Sequence, residues 1–139
     1  MRDVTLRIAA IERDEVTLTV LNGSTADIVL LSPHAPSRQM DEGGCELRLS
    51  SKIDRNIRPF AFTPELVTIA AGKETIFRAT LAPVSLVESC ATWTVSADYA
   101  YLKRDEVESF KKRTSHEFWE YAIDHQRIVN GSGKATPPK

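Results

Sequence analysis

Apolar and polar residues take turns along most of this chain, and they do so most regularly in two runs. Residues 73–81 alternate so that Phe77, Ala79 and Leu81 share one face, and residues 92–101 do the same with Trp93, Val95, Ala97, Tyr99 and Tyr101. A period of two belongs to a strand with one buried face, because successive side chains leave a pleated backbone on opposite sides. Val4, Leu6, Ile8 and Ala10 form a similar row near the N-terminus, as do Val16, Leu18 and Val20 in a segment rich in β-branched residues. Asn22-Gly23-Ser24-Thr25 reads as a turn, and Ile28-Val29-Leu30-Leu31 is apolar on both faces, as a strand covered on both sides would be.

The middle of the chain is less regular. Residues 32–44 carry Pro33, Pro36, Gly43, Gly44 and mixed charge and read as a long loop. Cys45, Leu47 and Leu49 alternate with Glu46, Arg48 and Ser50, which predicts a strand whose charged outer face suits a sheet edge. Pro59 and Pro64 bracket Phe60 and Phe62 and would keep any strand there short, whereas 66–71 reads as a strand closed by a Gly72-Lys73 turn. Residues 102–116 are mostly charged, and Asp105 with Glu108 three positions on has the spacing of a capping box, so a long connection with one or two helical turns is expected.

Two readings of 117–129 are open. As a strand, Trp119, Tyr121, Ile123, His125, Arg127 and Val129 share a face; as a helix, Phe118, Trp119, Ala122, Ile123 and Val129 cluster. Aromatic and β-branched content favours the strand, and the capping pattern with Gly131 at the end favours the helix. The Gly, Ser, Pro and Lys of 130–139 read as a disordered tail, leaving 1–129 as the domain.

Seven or eight short strands separated by turns predict an all-β sandwich. Val67 to Leu81 and Trp93 to Tyr99 together resemble small bacterial immunoglobulin-like domains, in which a strand, a turn and a strand ending in Leu precede an aromatic final strand. Trp119 to Ile128 looks like that last strand. The resemblance implies an antiparallel immunoglobulin-like sandwich with a long connection near 103–116. It departs at Trp93, where such domains usually carry a Tyr, and it implies no catalytic residues.

Composition sharpens this only slightly. At 42% hydrophobic and 27% charged, 139 residues suffice for one domain with its own core. A net charge of −1 gives no field to draw in nucleic acid, and no apolar run reaches the roughly 20 residues that span a bilayer. The N-terminus enters a strand without an apolar signal core, so the expected location is cytoplasmic unless a leader has been removed. Cys45 and Cys90 allow a cross-sheet disulfide or two reduced, half-buried thiols.

Candidate chemistry is sparse. His34, His116 and His125 match no zinc spacing, and a cysteine with His125 lacks any pattern for an oxyanion site, so no metal, cofactor or catalytic set is expected. Gly131-Ser132-Gly133-Lys134 lacks the earlier glycine of a phosphate loop, and Asn22-Gly23-Ser24 and Asn130-Gly131-Ser132 read as turns rather than glycan acceptors. Pro33-His34-Ala35-Pro36 reads as a stiffened loop. What is left is recognition. The expectation is a non-catalytic module that binds a protein through its end loops, with Val107, Phe110, Lys111, Lys112 and Arg113 as the candidate surface. The alternative is a small cytoplasmic inhibitor or immunity-type protein that blocks an enzyme or toxin. Pairing of two copies through an edge strand such as 45–51 would give a homodimer.

Overall fold

The alternating runs fold as strands in a computed structural model that describes residues 3–12, 15–33, 37–41, 43–53, 65–80, 90–109 and 115–136. Among the described residues there are nine strands: β1 (Val4–Glu12), β2 (Glu15–Asn22), β3 (Ile28–Leu31), β4 (Ser37–Asp41), β5 (Glu46–Ser50), β6 (Leu66–Ile69), β7 (Glu74–Thr80), β8 (Trp93–Lys103) and β9 (Arg127–Ala135). Two helices, α1 (Arg104–Glu108) and α2 (Ser115–His125), lie between β8 and β9. Strands β1-β2-β7 make one antiparallel sheet. The other six make the second sheet around β8, which pairs with β9 along one edge and with β5 and then β3 along the other.

Inward residues of the two sheets interleave as the alternation requires. Leu18, Val20 and Phe77 from the first sheet meet Trp93, Val95, Ala97 and Tyr99 from β8, with Leu47, Leu49 and Ile69 beside them. Tyr99 sits edge-on to Phe77, and its hydroxyl donates to the Pro33 carbonyl at 2.9 Å, so a buried phenol is satisfied. Burial raises its pKa above that of a free tyrosine. In β1 the register shifts between Ile8 and Ala10, which changes the phase of alternation and turns Ile11 inward opposite Val16.

The all-β sandwich is therefore as expected, with several corrections. It has nine described strands rather than seven or eight, and β5–β8 is a parallel pair in an otherwise antiparallel set. Ser37–Asp41, inside the expected long loop, is the strand β4. It pairs with β5, so 45–51 is not an edge: β5 is held between β4 and β8. The stretch 117–129 is mostly helix, and the final strand begins at Arg127 rather than Trp119. Phe118, Trp119 and Ala122 form a helical stripe at i, i+1 and i+4, and burying that stripe outweighs the β preference of the individual residues.

The domain does not end at 129 either, because β9 runs on to Ala135 through Gly131, Ser132, Gly133 and Lys134. Glycine is needed here by packing. A Cβ at Gly131 would fall well inside contact distance of the Leu6 carbonyl oxygen, where β1 passes beside β9 and joins the two sheets at one corner. The sequence features that suggested a tail are those of a strand crossed closely by another backbone.

Cys45 and Cys90 are joined in a disulfide, with Cα atoms 5.9 Å apart. It does not cross between sheets. Cys45 directly precedes β5 and Cys90 precedes β8, and the Thr94 N–H donates to the Cys45 carbonyl at 2.8 Å, so the bond clamps the start of the parallel pair. Parallel neighbours cannot be joined by a tight turn, and a covalent link at their common start helps hold the register.

Helix α2 adds a third layer. Phe118, Trp119 and Ala122 pack with Leu31, Ile53, Ala100 and Leu102 on the outer face of the six-stranded sheet. Each large apolar side chain so buried is worth about 1.5–3 kcal/mol. This explains why β3 is apolar on both faces: Ile28 and Leu30 join the main core, and Leu31 lies under the helix. Gln126 locks the end of α2 to the chain beyond β5, its Oε1 accepting from the Ile53 N–H at 2.9 Å and its Nε2 donating to the Ile53 carbonyl at 2.8 Å. Among the described residues no helix is long and apolar enough to cross a membrane.

Candidate functional site

The expected recognition loop leaves the sandwich at Lys103, where β8 runs into α1. The N–H of Lys103 donates to Glu106 Oε1 at 2.9 Å, so the residue that reaches back to the helix start is Glu106, three positions on, rather than Glu108. Glu106 is also the centre of a wider network. Arg127 at the start of β9 donates to its Oε1 at 2.6 Å, and the hydroxyl of Tyr121 on α2 donates to its Oε2. One carboxylate thus ties together α1, α2 and β9.

The electrostatics follow from that geometry. Burial pushes the Glu106 carboxyl up, but the Tyr121 hydroxyl, the Lys103 N–H and the Arg127 guanidinium together outweigh it and hold it below the usual range. The same hydrogen bond to a carboxylate raises the Tyr121 phenol, with partial burial adding to the rise. On the far side of α1, Asp27 accepts from the Ala71 N–H at 3.0 Å and from Arg104 at 3.2 Å, and these bonds lower its pKa. The Arg104 N–H donates to the Asp27 carbonyl at 3.0 Å, and its guanidinium lies 3.7 Å from Glu108.

Two clefts adjoin at this end and share Ala26. One, of about 460 Å³, lies among Ala26, Asp27, Arg104, Asp105 and Glu108. The other, of about 220 Å³, is bordered by Asp3, Val4, Thr25, Tyr101, Lys103 and Arg127. Tyr101 is half-buried there; burial raises its phenol, Asp3 adds to the rise and Arg127 opposes it. Both clefts are walled by side chains of both signs.

The candidate residues named from sequence divide here. Val107 is half-buried and packs against the cluster under α2, so it is not the exposed anchor it was expected to be. Phe110, Lys111, Lys112 and Arg113 lie outside the described residues, as do Phe60, Phe62 and His34. His125 is exposed, stacks on Tyr121 with ring centroids 4.1 Å apart, and donates from Nδ1 to the Tyr121 carbonyl at 3.0 Å. Glu117 stands eight positions away, about 12 Å along the helix axis, so it does not converge with His125. Among the described residues no three acidic, histidine or cysteine side chains gather as a metal site, and both cysteines are in the disulfide.

Three polar residues were missed. The strand reading of 117–129 sets Tyr121 and Arg127 on one face, whereas the helix ends between them and they meet over Glu106 from different elements. Asn22, read as a turn residue, is fully buried. Its Nδ2 donates to the Ala26 and Ile69 carbonyls and its Oδ1 accepts from the N–H and hydroxyl of Ser24, which fixes the β2–β3 turn to β6 and leaves no amide free for a glycan. The only sequence signal was an Asn directly after the alternating apolar row of β2. No family model matches the chain, and no curated protein is significantly similar to it in sequence.

Proposed function

We propose that this chain is an immunoglobulin-like, non-catalytic module that binds a protein partner at the α1 end of its sandwich and works in an oxidising compartment. The observation that carries the reading is the anchorage of α1. Glu106 fastens it to β8, α2 and β9, and Arg104 and Asp27 fasten it to the β2–β3 turn. A short helix held at several points keeps Lys103, Arg104, Asp105 and Glu108 exposed beside two clefts without needing to order them on binding. Pre-organised polar groups of this sort lower the entropic cost of association. The compartment is argued from the disulfide, since such bonds persist where thiols are not kept reduced. This reading replaces the cytoplasmic expectation.

The test is affinity capture with the oxidised protein, comparing the wild type with Lys103→Glu/Asp105→Lys/Glu108→Lys. A partner that binds the wild type and is lost by the triple variant, while circular dichroism and disulfide content are unchanged, supports the reading. A partner held equally by both places recognition elsewhere and overturns it.

A further inference from the structure

The first sheet ends in β7, and among the described residues nothing pairs with the outer edge of that strand. Its outward side chains are Glu74, Ile76 and Arg78, while Phe77 and Ala79 point into the core. Ile76 is 60% exposed, the most exposed large apolar side chain among the described residues, and Leu21, 36% exposed, lies on the neighbouring strand opposite Glu74, two residues along on the same face. An exposed sheet edge with an apolar centre is a template for another strand.

We propose that a second copy of this chain docks here, β7 against β7 in antiparallel register, with the two-fold axis at Ile76. The partner is identified by charge. In that register Ile76 faces Ile76 of the second copy, Glu74 faces its Arg78, and Arg78 faces its Glu74. Directly opposed residues of antiparallel strands lie on one face with Cβ atoms about 4.5–5.5 Å apart, so both ion pairs form beside the apolar contact. The two three-stranded sheets become one sheet of six.

Opposite charges two positions either side of Ile76 make the edge self-complementary in this register alone. A slip of two residues sets Ile76 against a charge, and a slip of one turns every side chain to the wrong face. Strand β4, another charged edge, has no equivalent: centring it on Gln39 sets Arg38 against Met40. The ion pair that Glu74 makes within its own chain, with Arg7 at 3.8 Å, is long and exposed, so it contributes little that a new partner would have to replace. The contact lies away from α1 and does not depend on the function proposed for that end.

Sedimentation equilibrium on the full oxidised chain tests this. The wild type is expected to dimerise reversibly, and Ile76→Lys is expected to weaken the dimer at least tenfold without altering the circular dichroism. Glu74→Arg and Arg78→Glu are each expected to be monomeric, because every cross-strand pair becomes like-charged. Mixed together, these two variants are expected to form a heterodimer, since both cross-strand pairs then set a basic side chain of the first variant against an acidic side chain of the second. A wild type that stays monomeric up to several hundred micromolar, a dimer indifferent to Ile76→Lys, or single-charge variants that fail to associate on mixing would each overturn the inference.

Discussion

Leu31, Ala100 and Leu102 on one sheet and Leu21 and Ile76 on the other are similar side chains on outer faces, yet the first three are almost completely buried and the last two are not. The difference is α2. The six-stranded sheet carries a helix on its outer face, whereas on the three-stranded sheet the Arg7–Glu74 pair spans Thr19, which is 8% exposed, and leaves Ile76 open. Among the described residues one outer face is buried and contributes to stability, and the other stays exposed at Ile76. The same hydrophobic alternation along the chain thus serves two ends, depending on what the fold lays over it.

Four changes bear on that comparison. The largest effect is expected from Trp119→Ala, which empties the space between α2 and the sheet. Truncating a buried tryptophan costs about 3–5 kcal/mol, measured by urea denaturation. Next is reduction of the disulfide. Its 45-residue separation gives a chain-entropy contribution of about 4 kcal/mol, and because both cysteines flank strands of the covered sheet, β5 and β8 should lose hydrogen-exchange protection before β1 and β2 do.

Glu106→Gln removes the polar tie between α1, α2 and β9, and a loss of about 1–2 kcal/mol at neutral pH is expected, as for a hydrogen-bonded charge. Its pH dependence is distinctive. Because the carboxyl is held below its ordinary value in the folded state, its contribution is complete above the usual carboxylate range and is lost as pH falls towards the folded value. The wild type should therefore lose more stability than Glu106→Gln on acidification below about pH 5, in parallel thermal melts. The smallest effect belongs to Ile76→Ala, within about 0.5 kcal/mol under conditions where the protein is monomeric. A loss comparable to that of Trp119→Ala would mean that the face taken as open is covered.

How much of this was legible in the sequence depended on distance along the chain. The inward rows of β2, β7 and β8 could be read directly, because a period of two is a local signal, and the two-faced apolarity of β3 correctly implied cover on both sides. The covering element itself stayed open between two readings. Trp119, Tyr121 and Ile123 favour a strand by composition, and only the sheet residues Leu31, Ala100 and Leu102, remote in sequence, make the helical stripe the better arrangement. Gly131 looked like tail because its place in β9 is set by the close approach of β1, which is a tertiary fact. At the α1 end the charged connection and its helical turn were visible, but the hub at Glu106 was not, since Tyr121 and Arg127 meet there only once the break between α2 and β9 is known.

The claim that a helix roofs the larger sheet is tested most directly by the fluorescence of Trp119, observed alone in a Trp93→Phe variant whose fold is confirmed by circular dichroism. With its side chain 4% exposed beneath α2, Trp119 should emit at a blue-shifted wavelength and resist quenching by acrylamide until the protein unfolds. Emission at the wavelength of a hydrated indole, quenched as readily as free tryptophan, would show that the helix does not cover that face.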